Sequence, residues 1–410
     1  MSEWKALSSI TSKIGSGSTP RGGNSVYSDS GISFIRSQNV LDMDFSTENL
    51  AFINDNQAEK LNNVIVEKND ILLNITGDSI ARCTVVPEEI LPARVNQHVS
   101  IIRCKNTEES KYVMYYLQYM KKYLLQISKV GGTRNALTKE AIGKLPIKIS
   151  DNCNKISKIL DNIDQKIQIN NQINQELEAM AKTLYDYWFV QFDFPDQNGK
   201  SYKSSGGKMV YHPELKREIP EEWGVDSLWN IANFYNGLAM QKYRPDTNED
   251  DYLPVIKIRE MMNGFTKDTE KARLDIPTEA VVERGDILFS WSATLEVIIW
   301  GKERGALNQH IFKVTSETYP KSFIYFELKS YLKVFKAIAE LRKTTMGHIT
   351  QDHLKQAKIV VPPIELISKL DAKLQPIMSQ QQILENQNQE LTQLRDWLLP
   401  MLMNGQVKVE

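Results

Sequence analysis

Between residues 156 and 188 the chain places apolar side chains at Ile156, Leu160, Ile163, Ile167, Leu177, Ala181, Leu184 and Trp188. The steps alternate four and three, the pattern of a helix that lies along another helix. Two positions of that seam, Asn170 and Asn174, are polar. A buried Asn in a helical seam costs stability but fixes register and partner. At ~1.5 Å per residue the stretch spans ~50 Å, too long to bury its apolar stripe alone. A second such stretch ends the chain, with a seam of Ile367, Leu370, Leu374, Ile377, Gln381, Leu384, Asn388, Leu391, Arg395, Leu398 and Leu402. Each stretch is the natural partner of the other. The expected pairing positions are Asn170, Asn174 and Leu177 on one helix, and Gln381, Leu384, Asn388 and Leu391 on the other.

The helices belong to an internal repeat of nearly half the chain. Asn96-Gln97-His98 recurs as Asn308-Gln309-His310, and Asp70-Ile71-Leu72 as Asp286-Ile287-Leu288. Ile156-Ser157-Lys158 recurs as Ile367-Ser368-Lys369, and Asn174-Gln175-Glu176-Leu177 as Asn388-Gln389-Glu390-Leu391. The order in each half is a globular module followed by a long helix. The expected boundaries are a first module at 1–150, a central helix at 151–192, a linker at 193–222, a second module at 223–363 and a terminal helix at 364–410. The linker is rich in Gly, Ser, Lys and Pro.

In the first module the pattern predicts a helical turn after Trp4 and strands at Ile32–Arg36, Asp70–Thr76, Thr84–Pro87 and Val99–Arg103. A helix is predicted at Lys111–Ile127, whose tyrosine stripe (Tyr112, Tyr116, Tyr119, Tyr123) reads as core packing. The second module predicts strands at Val255–Arg259, Asp286–Ser290, Val297–Trp300 and His310–Val314, and a helix at Ser322–Leu341. Strands and helices mix without regular βαβ alternation, so the class is α/β or α+β. Pro376 should kink the terminal helix or delay its regular part.

Composition narrows the function. A length of 410 residues fits two or three domains, and 41% hydrophobic residues is enough for folded cores. Cys83, Cys104 and Cys153 are too scattered for a disulfide framework or a CxxC metal site, which fits a reducing compartment. MSEWKALSSI holds no apolar signal core, and no apolar run is long enough for a membrane span, so a cytoplasmic protein is expected. The net charge of −1 gives no bulk argument for nucleic acid, so the placement of charge must carry it.

Enzyme motifs are missing. Ile14-Gly15-Ser16-Gly17 follows a short helix rather than a strand and lacks the acidic residue of a dinucleotide loop. Ser205-Gly206-Gly207-Lys208 is followed by Met209 where a phosphate loop needs Ser or Thr. Val361-Pro362-Pro363-Ile364 lacks the Asn and the aromatic of an amino-methyltransferase signature. No catalytic and no metal-binding residue is expected.

What remains are polar, glycine-punctuated loops. Residues 129–148 carry Lys129, Arg134, Lys139, Lys144 and Lys148 against Glu140, and the matching stretch carries Arg342, Lys343, Lys355 and Lys358. Arg and Asn or Gln read guanine and adenine edges through paired hydrogen bonds. Glycine lets backbone amides approach phosphate. Candidate DNA contacts in the first module are Ser18, Thr19, Arg21, Arg36, Gln38, Asn39, Thr76, Gly77, Arg82, Gly132, Thr133, Arg134, Asn135 and Lys139. In the second they are Gln241, Lys242, Tyr243, Arg259, Ser290, Trp291, Ser292, Arg342, Lys343, Thr344, Thr345 and His348.

These features resemble the specificity subunit of type I restriction–modification enzymes. The resemblance rests on Gly17-Ser18-Thr19-Pro20 followed by Tyr27, on the Leu-Thr…Leu-Pro module end, and on Leu399-Pro400-Met401-Leu402 with Asn404-Gly405. Most specific is the connector, from Phe192-Asp193-Phe194-Pro195 through Ser204-Ser205-Gly206-Gly207-Lys208-Met209 to Arg217-Glu218-Ile219-Pro220. The second module departs by opening Asn236-Gly237-Leu238-Ala239-Met240, without Thr-Pro. The resemblance implies two target recognition domains, separated by two long helices that form an antiparallel coiled coil with pseudo-two-fold symmetry. It implies a non-catalytic subunit that binds double-stranded DNA at a bipartite, asymmetric site with an unread spacer. The implied partners are two methyltransferase subunits and restriction/translocase subunits, with no membrane. S-adenosylmethionine, ATP and Mg would sit on those partners and no cofactor on this chain. The competing reading is a two-headed protein–protein adaptor without DNA binding. A salt titration separates the two, because DNA affinity falls by decades as counterions are released.

Arg134 and Arg342 follow equivalent module helices. Replacing either by Ala is expected to cost about 1–3 kcal/mol and relax one position if it reads guanine. Uniform weakening across sequences would mark a phosphate contact, and unchanged DNA binding would remove these turns from the interface.

Overall fold

The computed structural model describes residues 3–20, 26–129, 135–247, 251–341, 347–407 and 409. The chain divides into two compact units, Met1–Gln168 with Gln389–Glu410, and Ile169–Asn388.

The strands of the first unit are β1 (Glu3–Ala6), β2 (Thr11–Ser16), β3 (Ile32–Ile35), β4 (Ala51–Ile53), β5 (Ile65–Val66), β6 (Ile71–Asn74), β7 (Cys83–Val85), β8 (Ala93–Val95), β9 (Val99–Cys104) and β10 (Pro146–Ile149). Its helices are α1 (Leu7–Ile10), α2 (Asp55–Glu59), α3 (Ser110–Tyr119), α4 (Lys121–Ile127), α5 (Lys139–Gly143) and the first half of α6 (Cys153–Tyr185). One sheet runs β2-β9-β6-β7, antiparallel throughout. The other runs β4-β3-β8-β5, with β3 and β8 parallel. β1 pairs with β10 and closes the module.

The period of two along a strand decides which core each side chain joins. On β6, Ile71 and Leu73 pack with the α3 tyrosines, while Leu72 packs with β3 and β8. Every residue of β6 is buried, as befits a central strand covered on both faces. Tyr112, Tyr115 and Tyr116 are buried in that helical layer, but Tyr123 is exposed. The hydroxyls are also used. Tyr112 donates to Lys148 O (2.6 Å), Tyr115 to Asp164 (2.5 Å) and Tyr119 to Asn404 (2.6 Å).

The second unit repeats this plan. Its strands are β11 (Met209–His212), β12 (Arg217–Pro220), β13 (Gly224–Ser227), β14 (Asn233–Asn236), β15 (Leu253–Ile256), β16 (Lys271–Ala272), β17 (Val281–Val282), β18 (Ile287–Ser290), β19 (Glu296–Ile299), β20 (Gly305–Leu307), β21 (Ile311–Thr315) and β22 (Lys358–Val361). Its helices are α7 (Leu228–Ile231), α8 (Ile258–Asn263), α9 (Lys321–Leu341), α10 (Gln351–Gln356) and most of α11 (Ile364–Asn404). The sheets run β14-β21-β18-β19 and β16-β15-β20-β17, again with one parallel pair, β15 and β20. β13 pairs with β22 as β1 pairs with β10. The fold is a mixed α/β one with an internal repeat down to strand order.

The long helices pair antiparallel within each unit. In the first, Ile156 and Leu160 pack with Leu399, Leu402 and Met403, and Asp164 binds Arg395 at 2.7 Å. In the second, Asn170 donates to Asn388 (2.9 Å), Asn388 to Asn171 (2.7 Å) and Gln381 to Asn174 O (3.3 Å). Ala181, Tyr185 and Trp188 there share a core with Ile367, Leu370 and Leu374. Leu384 is buried, and Leu177 and Leu391 are half-buried.

Several local expectations are corrected. The helical turn expected after Trp4 is α1, but Trp4 itself lies on β1, its backbone pairing with Lys148. The helix expected at Lys111–Ile127 breaks at Met120. Arg259 stands in the first turn of α8, not at the end of a strand. Pro376 falls inside α11, which is already helical from Ile364. Residues 193–222 fold rather than hang free. The β11–β12 hairpin carries Ile219 into the same core as Phe192, Phe194 and Trp223, and the Phe194 ring stacks on Trp223 at 5.1 Å. The three cysteines are buried free thiols.

At the end of α6, Tyr185 donates to the Glu327 carboxylate of α9 (2.5 Å). Burial pushes that carboxyl up to about 7, against the pull of the Tyr185 hydrogen bond and Arg217. A carboxyl raised in the folded state favours folding below its unfolded value of about 4.3. That stability is lost as pH rises towards about 7. Glu327→Gln keeps an acceptor for Tyr185. It should therefore raise the unfolding free energy from denaturant titration at pH 8 by up to about 3 kcal/mol over the parent, with little difference near pH 4.

Candidate nucleic-acid interface

In both modules the two sheets meet at one turn. β8 leads into β9 through Asn96-Gln97-His98, and β20 into β21 through Asn308-Gln309-His310. The buried Asn96 holds this junction. Its backbone N–H donates to Ile35 O (3.0 Å), and its side chain accepts from His98 N (3.0 Å). Asn308 donates likewise to Ile256 O (3.1 Å). The loop after the first long strand passes directly over each turn. A Cβ on Gly17 would lie 1.7 Å from Val95 O, and one on Gly237 2.2 Å from Asn308 O. Only glycine allows that crossing.

A second pair of loops flanks the turn. Ile75 N donates to His98 O and Leu137 N to Ile75 O, each at 2.9 Å. In the other module Trp291 N donates to His310 O (3.2 Å) and Ile349 N to Trp291 O (2.8 Å). The next residue but one is left-handed in both, Gly77 at φ +78° and Ala293 at φ +55°. The scaffold is shared, and the side chains on it are not.

In the first module an open hollow is lined by Ser37, Gln38, Thr76, Gly77, Asp78, Ser79, Arg82, His98, Asn135 and Ala136. It gathers five of the expected contacts: Gln38, Thr76, Gly77, Arg82 and Asn135. The Thr76 hydroxyl meets His98 Nδ1 at 2.5 Å, and the Thr19 hydroxyl binds Gln97. Ser18 and Lys139 are exposed nearby in sequence, Lys139 opening α5 behind its Thr138 cap. In the second module Trp291 is held by its indole N–H on Asn236 (2.9 Å) and lies 5.4 Å from the His310 ring and 6.4 Å from His348. Ser292 bridges to His348 and is nearly buried. Gln241 and Lys242 are exposed, while Tyr243 leans on the β15–β16 core.

Other expected contacts are occupied by the fold. Asn39 is fully buried, caps Arg36 N and donates to Ser46 O and Glu48 O, so it builds its loop. Arg36 donates to Asn49 O (2.7 Å) and lies over Tyr27. Ser290 is buried on Thr294 O (2.6 Å). Arg259 is tied to Glu260 and Asp268 O. Arg21, Gly132, Thr133, Arg134, Arg342, Lys343, Thr344 and Thr345 lie outside the described residues.

Several of the described basic side chains in these stretches already have partners. Lys144 pairs with Glu140, Lys148 approaches Asn404 O, Lys355 pairs with Asp352 and Lys358 with Glu214. Counting charge along the chain took in Glu140 but overlooked Asn404, Asp352 and Glu214. It also overlooked Gln97, His98, Gln309 and His310, although the repeat had marked them. Among the described residues no group of His, Cys, Asp or Glu is arranged to hold a metal, and no helix is long and apolar enough to cross a membrane.

Residues 2–179 and 220–393 each match the family model described as the type I restriction modification DNA specificity domain. The chain belongs to this family. It is 27% identical over 339 residues to the type I restriction enzyme MjaIX specificity subunit of Methanocaldococcus jannaschii, covering 78% of this chain and 74% of that one. It is 24% identical over 334 residues to the HindI specificity subunit of Haemophilus influenzae, covering 67% and 72%. The fold is similar to the crystal structure of a type I restriction–modification S subunit from M. genitalium, at TM-score 0.54 and 13% identity over 98% of this chain and 96% of that one. In a family of DNA specificity domains, the hollow and the Trp291 cluster are the surfaces to test.

Arg82 lines the hollow together with Gln38 and Asn135. Arg82→Ala is expected to weaken binding by about 1–3 kcal/mol and to loosen one position of one half-site. Asn39→Ala should lower stability instead, shifting the thermal midpoint without redirecting the sequence preference.

Proposed function

We propose that this chain is the non-catalytic DNA-recognition subunit of a type I restriction–modification complex. It reads a bipartite, asymmetric site with an unread spacer. The observation that carries the reading is the repeat itself. Two modules share strand order, turn and glycine crossing but carry different side chains at matching loop positions, such as Ile75 and Trp291. A duplex with two unlike half-sites is the partner that suits such a pair.

The helices add support for two copies of one partner. The offset that carries Asn174 onto Asn388 also carries Ile169 onto Ile383 and Met180 onto Leu394. All four apolar side chains are exposed, at 49%, 48%, 57% and 42%. Exposed apolar residues kept at matching positions suit two methyltransferase subunits docking alike. Restriction/translocase subunits complete the assembly, which works in the cytoplasm. S-adenosylmethionine, ATP and Mg belong to those partners, which carry the methyl-transfer and cleavage chemistry.

The helix pair serves as the ruler for the spacer. Inserting seven residues before Asn170, with a matching seven after Asn388, keeps the heptad seam facing its partner and adds ~10 Å. Methylation mapping should then show the same half-sites with a spacer about three base pairs longer, at ~3.4 Å per pair. The old spacing at full activity would leave the helices as a partner dock only.

A further inference from the structure

The Asn-Gln-His turn is an identical tripeptide at matching places in the two modules, and its last two residues reach the surface. The buried Asn has a structural task in each module. The Gln and His do not share one. In the first module Gln97 is bound by Thr19 and His98 by Thr76. In the second, Ala239 stands in the loop that lacks the Thr, and His310 lies against the Trp291 ring. The neighbours differ, yet the contact between the two side chains persists. The Gln97 amide donates to His98 Nε2 at 3.0 Å and the Gln309 amide to His310 Nε2 at 3.3 Å. An amide NH2 carries two hydrogens. The imidazole takes one, and among the described residues no acceptor takes the second in either module.

Two modules that read different half-sites cannot use an identical element to read the bases that differ. The feature that every half-site shares is the phosphodiester backbone, and backbone contacts position a module without carrying sequence. We propose that Gln97 and Gln309, each oriented by the following His, clamp one equivalent phosphate in each half-site and set the register from which the unlike loops read. The proposal rests on the DNA-recognition function above.

The test uses the full chain, purified with its methyltransferase subunits, and a pool of random-sequence duplexes of about 40 base pairs, roughly four helical turns. Gln97→Ala and Gln309→Ala should each lower binding of the whole pool about 3- to 10-fold, leaving the enriched sequence unchanged in both half-sites. Phosphate-ethylation interference should lose one site in one half only, a different half for each variant. Gln97→Lys, adding a cation at the same spot, should tighten binding to the whole pool and steepen the log–log salt dependence by about one ion. A change in the enriched sequence would make these residues base readers and overturn the clamp. So would unchanged affinity and interference in both variants. If the parent complex retains no duplex at any salt concentration, the DNA-recognition function itself fails. If the parent binds and the variants match it, only the clamp fails.

Discussion

The amide contacts of Asn170 and Asn388 set the register on which the helix pair depends. Apolar seams slide at low cost, because one leucine fills a hole much as the next does. A buried amide does not slide, since any other register leaves its N–H and C=O groups without partners. Here Asn170 has no exposed surface and donates to Asn388, while its own carbonyl oxygen stays unpaired. The site lowers stability and raises specificity, the trade expected of a seam that must match one partner in one alignment. Asp164 does similar work in the first unit, accepting from both Arg395 and Tyr115. Burial and the Asp164 carboxylate act on Arg395 in opposite directions, and the carboxylate prevails and holds its charge.

Within each module the same economy holds. The Asp70 carboxylate caps Glu67 N (2.7 Å), and Asp286 caps Glu283 N (2.8 Å), so the strand after each begins at a fixed point. Each then alternates its side chains between a helical layer and a second sheet. Such a scaffold is over-determined from inside, so its outer loops are free to diverge. That separation of scaffold from loop is why Ile75 and Trp291 occupy one place with such different chemistry.

The long-range pattern was legible in the sequence. Heptad spacing located both helices and every polar seam position, because a period of three and four survives any choice of surface residue. The repeat revealed the modules, since Asp70, Asn96 and their counterparts hold the backbone itself. Short strands were not legible. β5 and β17 are two residues each, and the parallel pairing of β3 with β8 joins segments far apart in sequence. Side-chain roles were legible only in part. Asn39, Ser290 and Arg36 have the residue types of base readers, but burial and backbone partners decide their use, and neither is visible in composition. Gln38, Thr76, Gly77, Arg82 and Asn135 do come together, because each stands beside a turn that the repeat had already located.

The hairpin after α6 bears on where this chain can be cut and rejoined. Phe192, Phe194, Ile219 and Trp223 form one packed group, so the segment between the first long helix and the second module is part of that module's body. A crossover inside residues 193–222 would join half of one aromatic cluster to half of another. A join within α6, upstream of that group, would leave the cluster whole. Chimaeras of this chain joined within the helix should accordingly fold better than those joined inside the aromatic knot beyond it.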